Sequence, residues 1–162
     1  MSGSVRVSKK MIMIDISRQC LYLRDHHHTL IAEYPISSAT SGVGEKKGSN
    51  QTPRGLHIIH QKIGENSPIF SIFRGRQSTG EIWNHAETEK DFILSRILWL
   101  QGEMTPLDRY IYIHGTHDEK NIGKPCSHGC IRMRNLDVIE LFDHVSEGDT
   151  VFISEAHPEG WA

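Results

Sequence analysis

The residues with the clearest capacity for chemistry lie at positions 110–133, which read YIYIHGTHDEKNIGKPCSHGCIRM. The first four are β-branched or aromatic and predict a strand. The strand ends at residues 114–116 (His-Gly-Thr), and a polar loop leads to residues 127–130 (Ser-His-Gly-Cys). Loops held by a rigid scaffold often carry functional groups. A cysteine and two histidines are thus expected together at the edge of a strand.

Cys130 is the candidate nucleophile, because a thiol attacks a carbonyl carbon once an imidazole takes its proton. His114 is the candidate base, and such a pair is expected to have a depressed thiol pKa. His128 is the alternative base, although its ring must fold back past Gly129 to reach the sulfur. Gly129 also leaves room for a sharp turn. These residues predict a cysteine acyltransferase or peptidase, or else a structural buried cysteine, which is the commonest fate of this residue type.

The two motifs, with twelve residues between His114 and Ser127, resemble the catalytic signature of the L,D-transpeptidases, the YkuD-like domain. The resemblance extends to three further segments and covers residues 11–153. These segments are residues 34–37 (YPIS), 52–55 (TPRG) and 97–102 (ILWLQG). Arg132 is a departure from the pattern, because many members carry Asn there.

The resemblance implies roles for the residues around the thiol. His114 is the base and His128 supports it, and we expect the carbonyl oxygen of Gly115 to hold the His114 ring in the useful tautomer. Ser127 is expected to be a hydrogen-bonding brace. The implied oxyanion hole consists of three backbone N–H groups, those of His128, Gly129 and Cys130.

Arg132 is the candidate for binding the terminal carboxylate of a substrate, because arginine binds carboxylates in a bidentate manner. The alternative is an arginine that faces solvent or pairs with Asp137. Trp99, Tyr112 and Thr116 complete the set of substrate-binding candidates.

The resemblance also implies the substrate class. The expected reaction is removal of the terminal D-alanine from a peptidoglycan stem tetrapeptide or muropeptide by an L,D-carboxypeptidase in murein recycling. The alternative is an L,D-transpeptidase that forms 3-3 cross-links between stems. No metal or organic cofactor is expected, and a carbapenem is an expected covalent inhibitor of Cys130.

A non-enzymatic zinc module is a more distant alternative, because histidine and cysteine are common zinc ligands. The spacing of the histidines and cysteines fits no common zinc finger, in which two ligands separated by a few residues form a short paired turn. The candidate ligands would be His114, His117, Cys126, His128 and Cys130. Cys126 has two further interpretations: it is a loop residue, or it forms a reversible disulfide with Cys130.

Composition narrows the class of protein. The 162 residues suit a single domain spanning 1–162, and the formal net charge of −2 gives no basic surface for nucleic acid. No apolar run reaches the roughly 18 residues of a membrane span. The first residues lack the apolar region of about 7–15 residues that a secretory signal requires, so a cytoplasmic location is the expectation. An odd number of cysteines, three, favours a reducing compartment.

Periodicity predicts a mainly β fold, a β-sandwich or an open barrel, with one clear α-helix after the catalytic loop. The helix follows from apolar residues at i, i+3, i+4 and i+7, and Asn135 is its expected N-cap. Gly148 marks its expected end. Strands are predicted at residues 11–17, 20–24, 29–36, 55–63, 69–73, 92–102, 110–113 and 150–153.

Three other segments give weaker signals. Residues 64–91 have little periodicity apart from residues 69–73, and residues 74–80 read as a basic, turn-rich loop. Such a long loop region is either a lid over a pocket or a variable surface insertion. The run of three histidines at 26–28 reads as a solvated turn. His57 and His60 are expected on opposite faces of their strand.

Overall fold

The computed structural model describes residues 9–157 as ten β-strands, one α-helix and two short turns of 3-10 helix. The strands are β1 (Met11–Asp15), β2 (Cys20–Arg24), β3 (Leu30–Ser37), β4 (Gly55–Ile63), β5 (Ser71–Arg74), β6 (Gln77–Ile82), β7 (Ile93–Gly102), β8 (Tyr112–Gly115), β9 (Ile131–Met133) and β10 (Thr150–Ser154). The helix is α1 (Asn135–His144), and the 3-10 turns are Leu107–Arg109 and Glu119–Asn121. The mainly β class with a single helix is confirmed. Residues 1–8 and 158–162 of the predicted 1–162 domain lie outside the described range.

The strands form a closed sheet. Hydrogen-bonded neighbours run in the order β4-β10-β1-β2-β3-β9-β8-β7, and β7 pairs with β4 to close the ring. The hairpin of β5 and β6 extends from the start of β7. Closure removes the free edges of the strands in the ring, while β6 remains an edge strand. The predicted sandwich or open barrel is thus a closed, barrel-like sheet.

The interior of the ring is the hydrophobic core. Residues that alternate along each strand point inward, as the two-residue period requires. On β4, His57 and Ile59 are buried while Ile58 and His60 are exposed, so the two histidines do lie on opposite faces. His57 contributes to the core periphery through Nε2, which lies 2.8 Å from Thr105 Oγ1.

Helix α1 packs against β7 and β8. Its apolar residues Val138, Leu141 and Phe142 are buried in the same core as the strands. The predicted N-cap is wrong: Asn135 is the first helical residue, fully buried, and Arg134 occupies the cap position without a side-chain cap. The helix ends at His144, before Gly148. Within residues 9–157 no helix is long and apolar enough to cross a membrane.

The segment predicted as a basic loop is a hairpin instead. Strands β5 and β6 are joined by a two-residue turn, because Arg74 pairs with Gln77. Ile72 and Phe73 bury this hairpin against β7. Strand β6, which reads QSTGEI, is exposed along most of its length. It therefore lacks the apolar alternation by which a strand is recognised in sequence.

Candidate active site

Two parallel strands bring the two motifs together. In the β8–β9 pair, Ile113 lies opposite Ile131 and His114 lies opposite Arg132. The apolar members Ile113 and Ile131 point into the core. Since side chains alternate along a strand, His114 and Arg132 point to the outer face, and Cys130 directly precedes β9 on that same face. Thiol and imidazole are thus diagonal neighbours on one surface of the sheet.

Cys130 is held between two backbone groups of the neighbouring segment. Its sulfur accepts the Tyr112 N–H at 3.3 Å, and its S–H donates to the Tyr110 carbonyl oxygen at 3.4 Å. Burial raises the pKa of the thiol to about 11, although the Tyr112 N–H acts in the opposite direction. The expectation of a depressed thiol pKa is therefore wrong for this geometry, because loss of hydration outweighs the stabilisation of the thiolate.

His114 is nearly inaccessible, with 2% of its surface exposed. Its Nδ1–H donates to the Gly115 carbonyl oxygen at 2.7 Å, the contact expected from the sequence. This bond leaves Nε2 as the nitrogen with the lone pair. Burial lowers the pKa of His114, and the Gly115 carbonyl acts in the opposite direction. The site therefore pairs a neutral thiol with a neutral imidazole that is able to accept its proton.

Gly115 is required by packing as well as by its carbonyl. A Cβ at this position would lie 2.5 Å from Asn135 Oδ1 and 2.6 Å from the Leu94 carbonyl oxygen. No real Cβ approaches other atoms so closely, so any other residue would displace β8 from β7 or from the helix. The second residue of the His-Gly pair thus sets the position of the histidine ring.

Two hydroxyl groups shape the turn before the thiol. Ser127 Oγ donates to the Cys130 carbonyl oxygen at 2.5 Å and accepts the Gly129 N–H at 3.2 Å, which makes it the expected brace. Thr52 Oγ1 donates to the Gly129 carbonyl oxygen at 3.0 Å. Gly129 has φ +127°, a conformation that favours glycine. Because the Gly129 N–H already donates to Ser127 Oγ, it differs from a free oxyanion-hole donor.

Asp91 is a site residue that the sequence did not reveal. Its Oδ1 accepts from Arg132 Nη2 at 2.6 Å, and its Oδ2 lies 3.2 Å from His128 Nδ1. Burial alone would raise the pKa of Asp91, but the charge of Arg132 and the imidazole of His114 outweigh it and hold that pKa below its ordinary value. Asp91 follows a run of polar residues (ETEK) and carries no motif that sets it apart.

Neither His128 nor Arg132 lies where its alternative assignment requires, with His128 as the base and Arg132 facing solvent or paired with Asp137. The His128 ring turns toward Asp91 and is 70% exposed, rather than folded back onto the sulfur, so the structure favours His114 as the base. Arg132 is buried, with 5% exposed, and its guanidinium is bonded to Asp91 and to the Cys126 carbonyl oxygen. It therefore neither faces solvent nor pairs with Asp137, and it is not free to bind a substrate carboxylate.

Three of the four substrate-binding candidates are buried. Thr116 is completely inaccessible, and its carbonyl oxygen accepts from Asn135, which corrects its assignment to the substrate surface. The Tyr112 ring is also buried, so its backbone N–H is the part nearest the reacting sulfur. Arg132 is the third. Trp99 is partly exposed and remains able to contact a ligand.

A cavity of about 840 Å³ lies on the side of Arg132 and His128. Its walls include the aromatic rings of Phe70 and Trp83. Five carboxylates line it, against two cations, Lys120 and Arg132. The carboxylates are Glu87, Glu89, Asp91, Asp118 and Glu119. The size suits a small-molecule or peptide site, and the excess of acidic groups favours a cationic ligand.

The ligands of the alternative zinc module are not assembled. Within residues 9–157, no group of three or more His, Cys, Asp or Glu side chains is placed to hold a metal ion. His117 Nε2 lies 3.1 Å from the Thr88 carbonyl oxygen, and His114 is bonded to Gly115. Cys126 is a free thiol, as are Cys20 and Cys130. The three histidines at 26–28 are exposed in the turn between β2 and β3.

A thiol beside an imidazole of fixed tautomer, both on one face of a sheet, defines a cysteine-nucleophile site. The chain belongs to the YkuD family: the model of the L,D-transpeptidase catalytic domain matches residues 9–153. The resemblance inferred from the two motifs is thereby confirmed. Family membership gives the class of domain, a cysteine-dependent acyl-transfer domain of the L,D-transpeptidase type.

One relative in sequence agrees with this family assignment, and two solved structures share the fold. A putative L,D-transpeptidase from Bacillus licheniformis is 52% identical over 135 residues, which cover 83% of this chain and 58% of the relative. The solved L,D-transpeptidase from Mycobacterium smegmatis has a TM-score of 0.62 at 18% identity, covering 91% of this chain and 59% of that chain. A solved L,D-transpeptidase in complex with imipenem has a TM-score of 0.59 at 17% identity, with coverages of 91% and 59%. The chain thus spans less than two thirds of each of these proteins.

Proposed function

We propose that this chain cleaves the bond to the terminal D-alanine of peptidoglycan stem tetrapeptides and acts as an L,D-carboxypeptidase. The observation that carries the proposal is that Cys130, directly before β9, and His114 on β8 are diagonal neighbours on one face of the sheet, with Nδ1 of His114 bonded to Gly115. Family membership supports the substrate class.

In the first half-reaction, Nε2 of His114 takes the thiol proton as Cys130 Sγ attacks the carbonyl carbon of the third stem residue. The C–N bond to D-alanine then breaks, and the protonated imidazole gives its proton to the leaving amine. The Tyr112 N–H, which donates to the sulfur at 3.3 Å, stabilises the thiolate as its proton leaves. A thioester on Cys130 and free D-alanine result.

In the second half-reaction, an acceptor attacks the thioester. We propose water as the acceptor, because the flanking cavity is open to solvent and water is abundant. His114 would remove a proton from water and return it to the departing sulfur, which releases the tripeptide acid. A role in recycling further implies a cytoplasmic location, which cell fractionation with an antibody against the native protein would test.

Transpeptidation is the second candidate, and the acidic cavity favours it. An acceptor stem brings a side-chain amine, which is cationic before it reacts, and five carboxylates line the cavity next to His128. The same thioester would then form a 3-3 cross-link. The two functions share their first half-reaction and differ only in the nucleophile that follows.

The test is incubation of the purified chain with a stem tetrapeptide, followed by mass spectrometry of the products. Tripeptide as the main product, even as tetrapeptide concentration rises, supports the carboxypeptidase. Cross-linked dimers as the main product would establish the transpeptidase instead. Cys130→Ala should abolish both products with the fold intact, while Cys20→Ala and Cys126→Ala should retain activity; turnover by Cys130→Ala would refute the nucleophile.

We also propose that a carbapenem acylates Cys130. One structural neighbour was solved in complex with imipenem, and another with a faropenem-derived adduct. Intact-mass analysis after incubation with imipenem should show one adduct on the wild-type chain and none on Cys130→Ala. An adduct of equal yield on both proteins would place the reaction elsewhere.

A further inference from the structure

The hairpin of β5 and β6 carries an arginine at its tip. Gly75 and Arg76 form the two-residue turn, with φ values of +57° and +64°. Turns with positive φ at both central residues strongly favour glycine, asparagine or aspartate. Arg76 occupies the second of these positions, although its backbone conformation is uncommon for a long side chain. The turn itself therefore gives no reason for an arginine here.

Aromatic groups hold the Arg76 side chain in place. Its guanidinium carbon lies 4.9 Å from the ring centre of Trp99 and 4.8 Å from that of Tyr110. Nη1 also donates to the Tyr112 phenol oxygen at 3.1 Å. Stacking of this kind orients a guanidinium without neutralising its charge. Most of its five N–H donors remain available for another partner.

The other two arginines near the thiol are already engaged. Arg132 is paired with Asp91, and Arg109 donates to the carbonyl oxygens of Glu45 and Gln51. Arg76 has no carboxylate partner among the residues that the structure describes. It is thus the available cation on the Trp99 side of the site.

Tyr112 links this cation to the nucleophile. Its backbone N–H contacts Cys130 Sγ, while its phenol oxygen contacts Arg76. The length of one tyrosine side chain therefore separates the two groups. In a peptide whose scissile carbonyl lies at the sulfur, the carboxylate of the leaving residue is only a few bonds away. The carboxylates that line the cavity beside His128 would repel that carboxylate.

We propose that Arg76 binds the carboxylate of the leaving C-terminal residue and makes the site selective for substrates with a free C-terminus. This inference rests on the proposed function, because it assigns a specificity-determining residue to that reaction. Arginine suits the role, since its planar fork binds a carboxylate through two parallel hydrogen bonds.

The first test compares a stem tetrapeptide with the same peptide carrying a C-terminal carboxamide. The variant is Arg76→Asn, because asparagine suits the turn and should leave the hairpin folded. The kcat/KM for the acid should fall by about tenfold or more, as expected for losing a hydrogen-bonded charge. The kcat/KM for the carboxamide should stay near the wild-type value. Arg74→Gln, which removes an exposed charge from the same hairpin, is the matched control and should keep the wild-type preference.

The second test needs no turnover. Iodoacetate and iodoacetamide alkylate the same sulfur and differ in charge, and peptide mass spectrometry reports modification of Cys130 separately from the other thiols. The ratio of the iodoacetate rate to the iodoacetamide rate should fall in Arg76→Asn and stay unchanged in Arg74→Gln. A role confined to holding the hairpin would change both rates together.

These results separate the two proposals. If the wild-type chain does not convert the tetrapeptide, the proposed function fails, and the alkylation ratio still decides whether Arg76 attracts a carboxylate. The inference is overturned if the ratio of kcat/KM for the acid to kcat/KM for the carboxamide is unchanged in Arg76→Asn. It is also overturned by an equal loss for acid and carboxamide, or by an equal change of the alkylation ratio in both arginine variants.

Discussion

At the scale of single residues, the site combines an acid and a base that are both uncharged at neutral pH. Burial raises the pKa of Cys130 to about 11 and lowers that of His114. The thiolate therefore forms only as the imidazole takes its proton during attack. This differs from a preformed thiolate–imidazolium pair, which requires a depressed thiol pKa.

The pH dependence of alkylation should reveal this arrangement. Because only the thiolate reacts with iodoacetamide, the rate at Cys130 should keep rising as pH approaches about 11, whereas a free cysteine levels off near about 8.5. Stopped alkylation followed by peptide mass spectrometry measures the profile. A plateau below pH ~8 would show that the thiolate is already formed in the free protein.

The decline of kcat/KM on the acidic side of its pH profile, the acid limb, tests whether His114 is the base. A lowered pKa keeps His114 neutral to more acidic pH, so kcat/KM should hold down to a pH below the ordinary histidine value of about 6.5 and then decline. His114→Ala should remove this limb along with most of the rate. A limb that survives in His114→Ala would assign it to another group.

Asp91 is expected to stabilise the site through Arg132. In Asp91→Asn the buried guanidinium loses its charged partner, and Arg132 Nε already has no hydrogen bond. The cost should be about 1–3 kcal/mol, below the value for a fully buried pair, since the Asp91 side chain is partly exposed. Urea unfolding measures it, and Glu89→Gln in the same loop is the control.

A double-mutant cycle isolates this pair. In an Arg132→Asn background, Asp91→Asn should cost much less, because no buried charge is left without a partner. Equal costs in the two backgrounds would mean that Asp91 stabilises the fold by some other contact.

At the scale of elements, the start of helix α1 fixes the strands that carry the site. Ser95 Oγ donates to Asn135 Oδ1 at 2.6 Å, and Asn135 Nδ2 donates to the Thr116 carbonyl oxygen at 2.8 Å. One buried amide therefore joins β7, the end of β8 and the helix. Its Oδ1 is also one of the two atoms that exclude a side chain at Gly115, together with the Leu94 carbonyl oxygen.

Asn135→Ala should therefore destabilise the fold by about 1–3 kcal/mol, because it leaves buried partners without hydrogen bonds. The neighbouring Leu136 is 72% exposed, so Leu136→Ala is a matched control with an expected effect of about 0.5 kcal/mol or less. Thermal and urea unfolding give both values. Similar costs for the two variants would show that the amide network contributes little.

At the scale of the whole molecule, closure of the ring depends on β4 pairing with both β10 and β7. Adjacent residues of β4 provide a direct comparison: Ile59 is fully buried, whereas Ile58 is 40% exposed. The inner residue packs in the core that also contains the helix. The barrel and the helix therefore share one hydrophobic interior and should unfold together.

Ile59→Ala should cost about 2–5 kcal/mol through lost burial and a cavity, and Ile58→Ala less than about 1 kcal/mol. Both values should come from a single transition seen alike by far-UV circular dichroism and tryptophan fluorescence. Two separate transitions would contradict a single cooperative unit, and equal costs would contradict closure of the ring around Ile59.

The sequence by itself determined the local features. The β-branched run before His114, the glycine-containing motif before Cys130 and the helical period after it are each set by neighbouring residues. Periodicity was enough to predict the mainly β class. The resemblance of the His-Gly-Thr and Ser-His-Gly-Cys motifs, at their separation, was enough to predict the family and to propose the thiol–imidazole pair. The outward strand β6 escaped recognition, because an exposed edge strand needs no apolar alternation.

Only the tertiary structure decided the features that depend on contacts distant in sequence. The ring closes through hydrogen bonds between strands far apart in the chain, and Asp91 and Arg76 reach the site from loops with no motif of their own. The thiol pKa depends on how much water the fold removes from Cys130, which no local pattern records. Pairing, charge and burial at the site are therefore properties of the folded chain, because each one arises from groups that folding alone brings together.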